Sequence, residues 1–219
     1  MLRLLASPRL LFWGPTLIWA STWHVILYQL EGAPALNGVA LRFALAAVLM
    51  FALVWAQGQR LSIPLRWHGW LFAAGVAQYG LNYWGVYEAE RHVPSGLVAL
   101  LFSMMVFGNA ASGRLLLGQR VSRRFLAAGT GGVFGVALIF WPEVAAAGTR
   151  PDAALGLALG LGAAACASLG NALTLRVARQ GLALAPTLAH SMGYGALALY
   201  AVAAARGDAW RTGSGWVWW

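Results

Sequence analysis

Seven apolar stretches recur along the chain, at 10–30, 35–56, 69–87, 94–117, 124–141, 153–176 and 185–205, with short polar gaps between them. A bilayer core takes about 20 helical residues to cross, so each stretch predicts a transmembrane helix. The gaps alternate in charge. Glu31, Glu88, Glu90, Glu143, Asp152 and Asp208 follow the first, third, fifth and seventh stretches. Arginine clusters fill the other gaps: Arg3 and Arg9, Arg60 and Arg66, Arg120 with Arg123 and Arg124, and Arg176 with Arg179. Cytoplasmic loops collect positive charge. Length and charge together predict an all-α, polytopic membrane helical bundle of about seven transmembrane helices. Its N-terminus is cytoplasmic and its C-terminus external. Arg3 and Arg9 resemble the start of a signal peptide, but 10–30 is too long for a cleavable segment and no clean cleavage site follows. It reads as a retained first span.

Composition agrees. The chain is 60% apolar and 10% charged, with a mean hydropathy of +0.67. A soluble domain is about a quarter charged, so this one could not cover itself with water-compatible groups. The net charge of +9 lines one side of the membrane, which makes lipid headgroups its partner and excludes nucleic acid. All fifteen basic residues are arginine, which reflects base composition of the coding DNA. Cys166 is the single cysteine, so no disulfide framework and no metal-binding pair is expected. Neither a P-loop nor H-E-x-x-H nor G-x-S-x-G occurs, and no stretch holds paired carboxylates. An enzyme, a cofactor and a metal site are all disfavoured.

Small residues predict close helix contacts at Gly131-x-x-x-Gly135 and Gly156-x-x-x-Gly160. Trp13, Trp55, Trp67 and Trp70 mark the inner interface and Trp141 the outer. The sixth span runs opposite to the first, five helices later, and Trp19-Ala20-Ser21 faintly matches Cys166-Ala167-Ser168. Together these predict an inverted-topology repeat. Residues 1–142 form one complete five-helix repeat and 153–205 the first two helices of an incomplete second. Residues 206–219 form a tail rich in tryptophan: Trp210, Trp216, Trp218 and Trp219. The tail reads either as an aromatic anchor or as the mark of a truncated or frameshifted frame. In the second case the chain would be a non-transporting remnant.

Candidate chemistry lies within the spans. Arg42 sits about 6 Å to the outer side of the midplane, where an arginine is costly unless it is paired or lines a wet cavity. Snorkelling to Glu88 or Glu90 is the alternative. His24 with Trp23, and Asn82, come out at a similar depth. Trp19 shares a helix face with Trp23, Ser103 is near the midplane, and Asn109 is deeper toward the cytoplasm. Each polar group could instead make one interhelical hydrogen bond. No Asp or Glu lies within a span, so no carboxylate proton relay is visible; His24 and His190 are the titratable groups there near neutral pH. An unpaired Arg42 would suit an anionic or zwitterionic substrate.

The chain resembles the EamA-type transporters of the drug/metabolite transporter superfamily. The likeness rests on Leu17-Ile18-Trp19-Ala20-Ser21-Thr22, Ala40-Leu41-Arg42-Phe43, the run from Val93 to Leu101, and Leu115 to Ser122. It is good over 10–142 and thins beyond. Val106 stands where the family has a proline, which predicts loss of a helix kink; Gln119 and Ala20 also depart from the pattern. The resemblance implies a multi-pass protein of the cell inner membrane, with no covalent chemistry. It implies export or exchange of small polar metabolites, amino-acid-like compounds among them, by alternating access through a central cavity. Arg42 is carried over from the family's R-F pair. The sequence leaves substrate, coupling ion and a homodimer open.

Overall fold

The structure, a computed structural model, describes residues 7–32, 34–147 and 151–208; the side chains at 11, 23–24, 27–32 and 147 lie outside that description. Helices stand at the predicted stretches, and no strand occurs among the described residues. They are α1 (Pro8–Gly32), α2 (Ala35–Ala56), α3 (His68–Gly75), α4 (Asn82–Ala89), α5 (Ser95–Ser103), α6 (Met105–Leu117), α7 (Arg123–Ile139), α8 (Trp141–Ala147), α9 (Ala153–Ala178) and α10 (Leu184–Ala205). A π-helical turn, Val76–Leu81, joins α3 to α4 into one rod. Four rods are long and apolar enough to cross a bilayer: α2, α5 continued by α6, α9 and α10. The short α8 occupies what the sequence suggests is a plain gap.

The helix ends follow local chemistry. Gly118 closes α6 at φ 65°, and the Gln119 N–H bonds back to Gly113 O at 3.1 Å. Only glycine takes this left-handed turn without strain. Ser122 then caps α7 by accepting from the Phe125 N–H at 3.1 Å. The α-helical ladder of the fourth rod is interrupted at Met104, two residues before Val106 and without a proline in mid-rod. Ser103 Oγ donates to Leu100 O at 2.6 Å, and the Met104 N–H bonds Leu101 O at 3.0 Å, one residue nearer than in an α-helix. Such hydroxyl back-bonding loosens a helix without proline.

α10 lies along α2 in the most extensive helix pairing, and α9 runs against α4 and α6. The main core gathers Val39, Phe43, Val86, Tyr87, Val98 and Leu199. Glycines set the closest approaches, though not all where expected. A Cβ on Gly195 would come 2.6 Å from Gly75 O, so α3 and α10 touch backbone to backbone. One on Gly156 would meet Val93 at 2.8 Å, and one on Gly160 would meet Leu101 at 2.6 Å. Gly131 and Gly135 have nothing within 4 Å, which overturns their expected role in packing. Among the described residues α7 buries no residue and packs mainly on α5, α6 and α8, and this glycine face has no close neighbour.

The segregated charges collect at two ends. At one end, Arg176 and Arg179 on α9 donate to the last carbonyls of α6, Leu116 O at 3.1 Å and Leu117 O at 3.2 Å. Arg176 also lies over the Trp70 ring, 4.5 Å from its centre. At the other end sit the Glu88–Arg91 pair, Glu90 and Glu143. The tryptophans of the tail lie outside the described residues.

Candidate functional site

A small cavity, open on one side and enclosing about 480 Å³ of empty space only when open solvent is included, runs between α1, the π turn with α4, the α5–α6 break and α9. α1 contributes Trp19, Thr22 and Ile26; the α5–α6 break contributes Phe102 and Met105; α9 contributes Ala167. The third rod supplies most of the polar wall, through Gln78, Asn82 and Tyr83. Gln78 belongs to the π turn and Asn82 follows it, and the Asn82 amide N–H donates to Gln78 O at 3.1 Å. That bond leaves Asn82 Oδ1 buried without a partner, and Gln78 Oε1 is buried and unpartnered too. Buried polar atoms are nearly always satisfied, so two unpartnered acceptors on residues that line the cavity are unusual, and Gln78 Oε1 lies against Gly170 of α9. π turns recur at such sites because the widened ladder displaces backbone and side chains from regular register.

Arg42 is one layer behind this wall. Its guanidinium lies 5.2 Å from the centre of the Tyr83 ring and 5.9 Å from that of Phe43. It also hydrogen-bonds Tyr87. Phe43 packs on Tyr79 and Tyr83 at 5.0 and 4.6 Å between ring centres, which braces the group. Arg42 makes no ion pair among the described residues: Glu88 pairs with Arg91 at 3.6 Å instead. Stacking on aromatic faces and a phenol bond thus hold the cation where snorkelling to carboxylates was the alternative.

Trp19 and Asn82 therefore line the cavity, and Arg42 backs it through Tyr83. Ser103 does not line it; its hydroxyl is spent on Leu100 O. Asn109 is exposed and accepts from Asn171 Nδ2 at 3.2 Å, an interhelical bond between α6 and α9. The side chains of Trp23 and His24 lie outside the described residues. His190 Nδ1 donates to Pro186 O of its own helix, 2.8 Å away, and its ring meets His68 edge-on at the arginine end. Sequence reasoning missed Gln78, Tyr83, Thr22, Phe102 and Met105. Two signals were available: the i, i+4 amide pair Gln78 and Asn82, and the tyrosine stripe Tyr79, Tyr83, Tyr87 on one helix face.

The cavity lies inside a multi-pass helical bundle. No curated protein and no solved structure matches the chain. Residues 8–141, more than half of the sequence, match the EamA-like transporter family. That family moves small molecules across membranes and is not enzymatic. The chain belongs to the EamA-like transporter family.

Proposed function

We propose that this protein exports or exchanges small polar metabolites, amino-acid-like zwitterions foremost, across the inner membrane by alternating access. The observation that carries this is the pair of unpartnered acceptors, Gln78 Oε1 and Asn82 Oδ1, on a cavity wall backed by the unpaired Arg42 cation. An ammonium group suits the two amide oxygens; a carboxylate suits a guanidinium that can turn from its tyrosine stack. Trp19, Tyr83 and Phe102 give the cavity aromatic walls on which the apolar part of such a compound can pack.

The membrane frame belongs to the same reading. All seven rods cross the bilayer, with the arginine end cytoplasmic and the acidic end external, as the positive-inside rule favours. The pairing of α2 with α10 supports an inverted repeat, because each is the second helix of its own half. The Ser103–Met104 break and the π turn supply the irregular backbone that carriers of this kind keep beside their cavities.

The test is counterflow in proteoliposomes loaded with single unlabelled amino acids and offered the same labelled compounds outside. Accelerated exchange of at least one zwitterion, lost on Gln78→Leu, is the expected result. Exchange of none, in a folded protein, would overturn the substrate class.

A further inference from the structure

Glu90 occupies the turn between α4 and α5, where the charge pattern alone suggests an ordinary solvated loop residue. It is 7% exposed. Neither carboxylate oxygen has a hydrogen-bond partner of good geometry, and the same holds for Ser95 Oγ beside it. Glu143 of α8 lies against the start of α5, where a Cβ on Gly96 would be 3.6 Å from Glu143 Oε1. Arg91, the adjacent cation, is spent on Glu88. A buried carboxylate without cation or donor is costly, whereas a protonated carboxyl is neutral and can donate to an orphaned oxygen. Burial pushes the Glu90 carboxyl up to about 7, against the opposing pull of the Ser95 hydroxyl beside it.

Tyr87 ties this carboxyl to the cavity. It stands one helical turn from Tyr83, hydrogen-bonds Arg42, and feels the charge of Glu90. Other titratable groups at this end are Tyr83 on α4, Glu88 and Arg91 in their pair, His92 against Gly156, Glu143 on α8, Asp152 before α9 and Asp208 after α10. Among the described residues no group of three or more His, Cys, Asp or Glu is arranged to hold a metal ion. The chemistry fits a single exchangeable proton.

We propose that Glu90 is a proton-binding site, loaded from and released to water at the acidic end, and that Tyr87 couples it to the charge at Arg42. An anion that neutralises Arg42 raises the proton affinity of Glu90, and a proton on Glu90 correspondingly favours the anion. This rests on the carrier reading only for its use: proton and substrate load together, which is how a proton gradient would drive transport.

The experiment is infrared difference spectroscopy of the purified full chain in lipid, titrated from about pH 5 to about pH 8, with the carboxyl C=O stretch as readout. One band should bleach with a midpoint near neutrality. It should be missing in Glu90→Gln, displaced in frequency in Glu90→Asp, and kept in Glu143→Gln. In Arg42→Gln its midpoint should rise, because a cation that favours the carboxylate is gone. No bleaching band in the wild type, a band that survives Glu90→Gln, or a midpoint set by replacing potassium with sodium would overturn the site. An unmoved midpoint in Arg42→Gln would overturn the coupling. The readout needs no substrate, so a titrating Glu90 in a protein that exchanges no amino acid would uphold this site while removing the carrier reading.

Discussion

The Arg42 guanidinium lies 5.2 Å from the centre of the Tyr83 ring, and Tyr83 itself forms part of the cavity wall. The cation thus reaches the cavity through an aromatic plane, so removing the plane should act like removing the charge. A cation–π contact of this kind contributes on the order of 1–2 kcal/mol. Arg42→Ala and Tyr83→Leu should each lower amino-acid exchange about ten-fold or more. Arg42→Lys should fall between, keeping the charge but losing the flat face, and Tyr83→Phe should retain most activity. Initial exchange rates in proteoliposomes, normalised to reconstituted protein, check this. Full exchange by Arg42→Ala would exclude the arginine from the transport cycle.

Glycine positions separate packing from exposure. Gly75→Leu or Gly195→Leu forces a side chain into backbone of the neighbouring helix and should destabilise the bundle by about 3 kcal/mol or more. Gly131→Leu and Gly135→Leu, which meet nothing within 4 Å, should be close to neutral. Thermal unfolding in detergent gives the comparison directly. Equal losses at all four positions would show that α7 has a partner on its open face.

The arginine end has its own test. Arg176 and Arg179 satisfy terminal carbonyls of α6, which otherwise have no helical partner. Arg176→Ala should cost about 1–2 kcal/mol, through the lost hydrogen bond and the stack on Trp70. Arg179→Ala, on an exposed residue, should cost less. The order of the two melting temperatures is the measurement.

Glu90 predicts a pH dependence whose sign is fixed. Its carboxyl is raised from 4.5 to about 7 in the folded protein, so between those values the folded state holds a proton that the unfolded chain has lost. Stability is therefore greatest below about pH 4.5 for this group and declines as pH rises to about 7, by on the order of 2–3 kcal/mol. Glu90→Gln should flatten the melting temperature over that window. A wild type equally stable across it would contradict the burial of an uncompensated carboxyl.

The helices were legible because twenty-residue apolar runs leave few alternatives, and because arginine and carboxylate gaps alternate. The π turn was not, since Val76–Leu81 has the same apolar composition as the α-helix on either side. Arg42 announced itself by depth, but its tyrosine partners were read as ordinary span residues. The paired motif Gly131-x-x-x-Gly135 looked like a seam and has no close neighbour among the described residues; the true seam joins single glycines, Gly75 and Gly195, from helices far apart in sequence. Glu90 reads in the sequence only as one of the acidic gap residues and as a snorkelling partner for Arg42, because its burial is a tertiary effect that local charge cannot reveal.

The π turn also makes the third rod a shaft with a phase offset built in. One extra residue in the winding turns everything beyond it by about 100° relative to an unbroken α-helix. Asn82, Tyr83 and Tyr87 are aimed by that offset, whereas Leu71 and Gly75 before it are not. Rewinding Val76–Leu81 into regular α-helix would swing the polar wall away from the cavity by about 100°, whereas deleting one residue of the turn as it rewinds would restore the phase of everything beyond it. The binding face is thus encoded partly in how many residues the rod contains, a property that no point substitution can restore.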